Sequence, residues 1–117
     1  MNLDELPDAM TPAEVVEAYE EAWRQGHYQA FLWITTEHLW ESLGVETREE
    51  FSEAARDYQE GSEGHSMVIT GLEVDGSTAT VTTTETSVDG TDHVVEQVSH
   101  LLVHDGEAWL VDGVTAV

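Results

Sequence analysis

Three Asp-Gly pairs, Asp75-Gly76, Asp89-Gly90 and Asp105-Gly106, divide the second half of this 117-residue chain into four β-rich runs. Asp-Gly between such runs is a strong short-range hairpin signal, because both residues tolerate positive φ. The spacing predicts strands over about 66–74, 77–88, 93–104 and 107–114. Joined by successive tight reversals, they form an antiparallel meander. The first half is biased the other way: 13 of 17 Glu and 3 of 4 Trp precede residue 64, whereas 11 of 14 Val and 9 of 13 Thr follow it. A helical half followed by a β half is an α+β arrangement, not an alternating one.

The helical half carries its own punctuation. Residues 1–10 read as a loose acidic lead. Thr11-Pro12-Ala13-Glu14 then opens a helix, with Thr11 as cap, Pro12 in the first turn and Glu14 closing a capping box. Val15, Tyr19, Ala22 and Trp23 share one face of it, and Gly26 ends it. A short helix follows with Tyr28, Phe31 and Leu32, interrupted at Thr35-Thr36, and another turn holds Leu39, Trp40 and Leu43 up to Gly44. Thr47-Arg48-Glu49-Glu50 is a second capping box, opening a helix that turns Phe51, Ala54, Ala55 and Tyr58 inward. Gly61-Ser62-Glu63-Gly64 is the hinge into the sheet.

Treating each Asp-Gly as a two-residue turn pairs Leu72 with Ala79, Val81 with Val98 and Leu102 with Trp109. One face then holds Val68, Leu72, Val74, Ala79, Val81, Val98, Leu102, Trp109 and Val111, the core face beneath the helices, with Thr83, Glu85, Glu96 and His100 as polar intruders. The other face holds Met67, Ile69, Thr80, Thr82, Gln97, Ser99, Leu101, Val103 and Leu110, half apolar and in need of cover. A bulge inverts part of such an assignment.

Composition bounds the function. Twenty-five acids face three Arg and no Lys, a net charge of −22. Phosphate binding needs a basic surface, so nucleic acid is excluded as a partner, and anionic lipid on the same ground. Four Trp, three Tyr and two Phe in a patterned chain argue against disorder. A folded domain with this self-repulsion suits molar salt, where the Debye length falls to about 3 Å; a halophilic, salt-filled cytoplasm is the expectation. There is no cysteine, which excludes disulfides and thiol chemistry. No apolar run is long enough to span a membrane, and Met1-Asn2-Leu3-Asp4-Glu5 is no signal peptide, so a cytoplasmic location is expected.

Thr11-Pro12-Ala13-Glu14-Val15-Val16-Glu17-Ala18-Tyr19, followed by Gly26-His27-Tyr28, resembles the opening of small members of the nuclear transport factor 2-like superfamily, which includes ketosteroid isomerase and polyketide cyclases. Asp75-Gly76-Ser77-Thr78-Ala79-Thr80-Val81 and Gly106-Glu107-Ala108-Trp109-Leu110-Val111 match the same group, so the resemblance covers 11–114. It implies one domain over 11–117: an α+β cone, with N-terminal helices packed in the concave face of a curved four-stranded meander. It also implies a pocket between the layers and dimerisation through the convex side. These motifs are fold signals and none is catalytic. His27 stands where the group has Asp, a change at a helix cap. Related small members that are exported carry a leader or lipobox cysteine; neither is read in this sequence, so their location is not expected here.

The candidate pocket residues are Tyr19, Trp23, Phe31, Thr83, Glu85, Glu96, Val98, His100 and Trp109. Glu96 and His100 lie four apart on one strand and share a face. With Glu85 and Thr83 they either floor a pocket, where a carboxylate beneath apolar walls can act as a base, or sit solvated at an open rim. Tyr19, pointing inward, is a candidate oxyanion donor. The catalytic Asp positions of the isomerases are not recognisable. His100 and His104 with Glu96 make no metal site, since four residues along a strand span about 13 Å. The Glu-rich faces (Glu17, Glu20, Glu21; Glu49, Glu50, Glu53) read as solvated. Trp33 and Trp40 fall in the least regular segment and read as core or interface. No nucleophile elbow or phosphate loop is present, and no cofactor is expected. With no strong catalytic constellation, a small-molecule-binding or dimeric assembly module is favoured, the ligand small and apolar or amphipathic. A second copy is expected against Ile69, Gln97, Ser99, Leu101, Val103 and Leu110. The alternative is a small isomerase- or cyclase-type enzyme using carboxylate proton transfer.

Overall fold

The computed structural model describes residues 2–7, 9–61, 65–89 and 91–117. Four helices come first, α1 (Pro12–Gln25), α2 (Tyr28–Trp33), α3 (Glu37–Leu43) and α4 (Arg48–Gly61), then four strands, β1 (Ser66–Asp75), β2 (Thr78–Asp89), β3 (Asp92–His104) and β4 (Trp109–Ala116). The strands pair antiparallel in the order β1-β2-β3-β4, the meander expected from the three Asp-Gly pairs. Ser62, Glu63 and Gly64 of the expected hinge, and Gly90 of the second reversal, lie outside the described residues.

The helix ends follow the sequence signals. Thr11 and Glu14 form the reciprocal capping box, Pro12 opens α1, and Gly26 at φ 64° closes it. His27 caps α2 through Nδ1, which accepts from the Ala30 amide at 3.1 Å, while Nε2 meets Asp4 Oδ1 at 2.7 Å. The expected change at this cap is therefore a substitution of one acceptor for another. Thr36 caps α3 and Gly44 ends it. At α4, Thr47 Oγ1 accepts from the Glu50 amide, but the Glu50 carboxylate turns to the Glu46 amide, so only half the box forms.

The core is aromatic. Phe51 lies 4.9 Å from Trp23, 4.8 Å from Phe31 and 5.4 Å from Tyr28 between ring centroids, joining α1, α2 and α4. α1 lies over β2 and β4, and α3 lies against β4. The free edge of β4 is covered locally: the Val111 amide donates to Ile34 O at 2.8 Å, and the Thr36 amide donates to Val111 O at 3.1 Å. That contact occupies edge groups that would otherwise invite another chain. The lead is not loose, since Leu3 is buried and Leu6 and Met10 pack on the core.

The register differs from the expectation. Leu72 pairs with Val81, Val81 with His100 and Leu102 with Val111. In the first reversal Asp75 pairs with Thr78, so Asp75 ends its strand and Gly76, at φ 62°, opens the loop. The displacement is two residues, which preserves side-chain parity. Ala79, Val81, Thr83, His100 and Leu102 are accordingly buried as expected. The third reversal is longer: His104 pairs with Trp109, and the Asp105 carboxylate accepts from the Glu107 and Ala108 amides at 2.9 and 2.8 Å.

Two bulges bend the sheet, one between Ile69 and Gly71 and one opposite Leu101 and Leu102. The first overturns the face assignment of early β1. Met67 and Ile69 stand opposite Glu85 and Thr83 and pack on the core, while Val68 turns outward and is 60% exposed. Ile69 is therefore lost from the expected dimer face. Leu72 and Val74 keep the concave parity, opposite Val81 and Ala79, yet stay exposed because the helices lie over β2 and β4 rather than this edge strand.

Candidate functional site

A cavity of about 310 Å³ opens between α1, α4 and the concave face of the sheet. Tyr19, Glu20 and Trp23 come from α1, Ala54 and Tyr58 from α4, Glu85 from β2, Val98 and His100 from β3, and Val114 from β4. Helical spacing brings Val16, Glu20 and Trp23 onto one stripe, at i, i+4 and i+7, and all three are buried. The bulge in β4 lets Val114 face His100 while Val111 still faces Leu102.

Tyr19, Trp23, Glu85, Val98 and His100 were expected to line this pocket, and the fold brings these five together. Phe31 and Thr83 are fully buried behind the lining. Glu96 does not converge. The expected register puts it opposite Thr83, but the two-residue displacement carries it along the strand toward the β2–β3 reversal, where it pairs with Glu85 and is exposed. Trp109 is also absent. Pairing with His104 instead of Leu102 carries it to the hairpin end. There it walls a second cavity of about 480 Å³ with Leu6, Met10, Val15, Trp33 and Ile34. It still faces the core side, half-buried and edge-on to His104 at 5.0 Å. Trp33 is exposed beside that cavity, while Trp40 packs on the core and donates from Nε1 to Thr35 Oγ1 at 2.7 Å.

The polar floor is built largely from residues that the sequence reading did not single out. Glu20, assigned there to a solvated face, is 7% exposed. Tyr58 donates its hydroxyl proton to Glu20 Oε1. His65, at the entry to β1, stands between two carboxylates: Nε2 is 2.9 Å from Glu85 Oε1, and Nδ1 is 3.3 Å from Glu20 Oε1. The Thr83 hydroxyl donates to Glu85 Oε2 at 3.2 Å. Arg24 approaches Glu20 more loosely, at 3.9 Å. The signal for Glu20 was its place between Val16 and Trp23, masked by the acids Glu17 and Glu21 beside it. His65 gives no local signal, because its partners lie on other elements.

Burial sets the electrostatics. It pushes the Glu20 carboxyl above the usual carboxylate range; Glu85 adds to the rise, while the Tyr58 hydroxyl, His65 and Arg24 oppose it. Burial raises the Tyr19 phenol to about 12, so it stays protonated. Burial also lowers His100, against an opposing hydrogen bond to Val81 O at 3.2 Å. With Nδ1–H donated to that carbonyl, His100 is a neutral wall, in edge contact with Tyr19 at 6.1 Å. The site thus offers acceptors at its floor and aromatic and aliphatic surface on its sides. It suits a molecule with an apolar body and a hydrogen-donating or cationic end.

No family model and no curated protein matches the chain significantly. Solved structures do match. A protein named Rd1NTF2_04 with long sheet superposes with a TM-score of 0.72 at 10% identity, covering 92% of this chain and 100% of its own. An NTF-2 like protein of unknown function from Shewanella oneidensis gives 0.61 at 16% identity, covering 89% and 93%. A protein of Acidithiobacillus ferrooxidans described as a candidate polyketide cyclase gives 0.57 at 15% identity, covering 92% and 90%. The fold is that of the nuclear transport factor 2-like cone, as the motifs implied. No described helix is long and apolar enough to cross a membrane.

Proposed function

We propose that this domain is a non-catalytic binding module for a small, partly apolar molecule, held with its hydrogen-donating or cationic end on Glu20 and Glu85. The observation that carries the reading is the cavity of about 310 Å³ whose walls are Tyr19, Trp23, Ala54, Val98 and Val114 and whose floor is the buried carboxylate of Glu20 beside the half-buried one of Glu85. That volume is at the small end of the range for ligand pockets, about 300–1,000 Å³. Native mass spectrometry of protein purified in high salt tests it. A retained small molecule is expected on the wild type, and its loss from Val98→Trp, which fills the cavity. Retention unchanged in that variant refutes the reading.

A second reading, proton transfer by Glu20, is favoured by one observation: its carboxyl lines the cavity and is raised above the usual carboxylate range, chiefly by burial, the direction a general base needs. Similarity in fold to the candidate polyketide cyclase is consistent with it. Unchanged turnover of an identified substrate by Glu20→Gln would eliminate it.

Two further parts of the proposal concern the surface. The convex face supports a homodimer through Val68, Val95, Gln97, Leu101, Val103 and Leu110. Among the described positions that the strand register assigns to that face, Glu73 and Asp75 are the carboxylates, both toward one end of the edge strand, in a chain with 25 acids. Two copies each carrying −22 can approach only where charge is sparse. The same net charge supports a working environment of molar salt, inside a cell of that kind.

A further inference from the structure

We propose that Glu20 and the Nδ1 atom of His65 bind one divalent transition-metal ion, of the Zn²⁺ or Mn²⁺ type, at the pocket floor, with Glu85 holding the His65 ring from its far side. One ligand atom from each residue lies within 4.8 Å of the other two. The stronger observation is the state of the His65 ring. Its side chain is nine-tenths buried. With the ring proton on Nε2, donated to Glu85 Oε1 at 2.9 Å, Nδ1 bears a lone pair. That atom is buried and makes no hydrogen bond. Its near neighbour is Glu20 Oε1, another electron-rich atom, 3.3 Å away and off the axis a hydrogen bond would need. A buried acceptor facing a buried acceptor is unfavourable unless something positive lies between them.

The spacing suits a metal. Ligands held about 2.0–2.1 Å from a tetrahedral ion are separated by roughly 3.3–3.4 Å. A carboxylate on the far ring nitrogen is the usual support of a metal-bound imidazole, fixing its tautomer and raising its basicity; Glu85 Oε1 occupies that position. The outer contacts are also present: Tyr58 holds Glu20, and Thr83 holds Glu85 through Oε2. One imidazole nitrogen with carboxylate oxygens suits Zn²⁺ or Mn²⁺ better than Ca²⁺ or Mg²⁺, which favour all-oxygen sets. The remaining coordination positions would open into the cavity. This inference shares the pocket floor with the binding reading and does not depend on it, since the ion alone is the ligand tested. The rival occupant of the gap is a second ring proton, which would make His65 an imidazolium between two carboxylates.

The ring nitrogens of His65 report directly. In the wild-type protein, ¹⁵N correlation spectra with one equivalent of Zn²⁺ are expected to show Nδ1 shifted as a metal ligand and Nε2 still protonated. A ring that stays doubly protonated at saturating Zn²⁺ overturns the proposal, and this readout needs no variant to fold. Titration then separates a built site from diffuse acid binding. Zn²⁺ affinity is expected to fall at least tenfold in His65→Asn and Glu20→Gln, and to hold in the exposed control Glu17→Gln/Glu53→Gln. Equal affinity in all of these proteins would also overturn it.

Discussion

Replacing His65 by Asn should make the stability of this domain steeply dependent on pH. His65 lies between Glu20 and Glu85, whose carboxylate oxygens fall within 4.8 Å of one another. At that separation two full charges repel by about 3.5 kcal/mol for an effective dielectric of about 20. Asn removes the Nε2–H that His65 places on Glu85 Oε1 at 2.9 Å, so that bond no longer relieves the repulsion. Spreading of each charge over two oxygens, and salt, reduce the cost, so a destabilisation of about 1–3 kcal/mol at pH 8 is expected. The pH dependence has a definite sign. The folded Glu20 carboxyl already sits above its unfolded value, chiefly through burial. Between the two values the folded state binds more protons, so this group stabilises as pH falls and loses that contribution as pH rises through the folded value. His65 is one of the groups that holds Glu20 down, and its removal widens the window upward. Urea unfolding in molar KCl with chelator, at pH 5 and pH 8, measures the difference. The deficit of His65→Asn should be larger at pH 8 than at pH 5, because lowering the pH favours proton uptake by the raised Glu20 carboxyl. An equal deficit at both pH values would show that the two carboxylates do not share a site.

Three other outcomes are expected. Phe31→Ala empties a fully buried site between Trp23 and Phe51 and should cost about 3–5 kcal/mol in denaturant unfolding; a cost under about 1 kcal/mol would mean the aromatic cluster is not the core. Thermal midpoints should rise steadily from dilute buffer to multimolar KCl, because a net charge of −22 is screened; a flat series contradicts the salt reading. Light scattering should report a dimer in high salt that Leu101→Glu converts to monomer, whereas a monomeric wild type removes the convex-face proposal.

What could be read from the chain depended on how local the determining contacts are. Thr11, Pro12, Glu14 and Gly26 bracket α1 within the helix itself, and they were legible. The faces of β2 and β3 were also legible, since a register displaced by two residues keeps alternate side chains on the same side. The displacement was not legible, because Asp-Gly leaves open whether Asp ends the strand or enters the loop; here Asp75 ends it. That difference moved Glu96 out of the site and set His100 opposite Val81. The bulge beside Gly71, which exchanged Val68 for Met67 and Ile69, depends on packing against Thr83 and the helices. The floor was least legible. Glu20 is one acid among many in α1, and only its placement beneath Tyr58 and beside His65 distinguishes it from Glu17 and Glu21.

The fold and the pocket both require that the helices close over the concave sheet at Glu20, His65 and His100. Nuclear Overhauser contacts between aromatic rings test this in solution without any variant. Cross-peaks are expected from Tyr58 to His65, whose ring centroids are 5.8 Å apart, and from Tyr19 to His100, at 6.1 Å. If both pairs are silent while the strand-to-strand contacts of the meander are intact, the helices do not pack as described, and the pocket with its acidic floor does not exist.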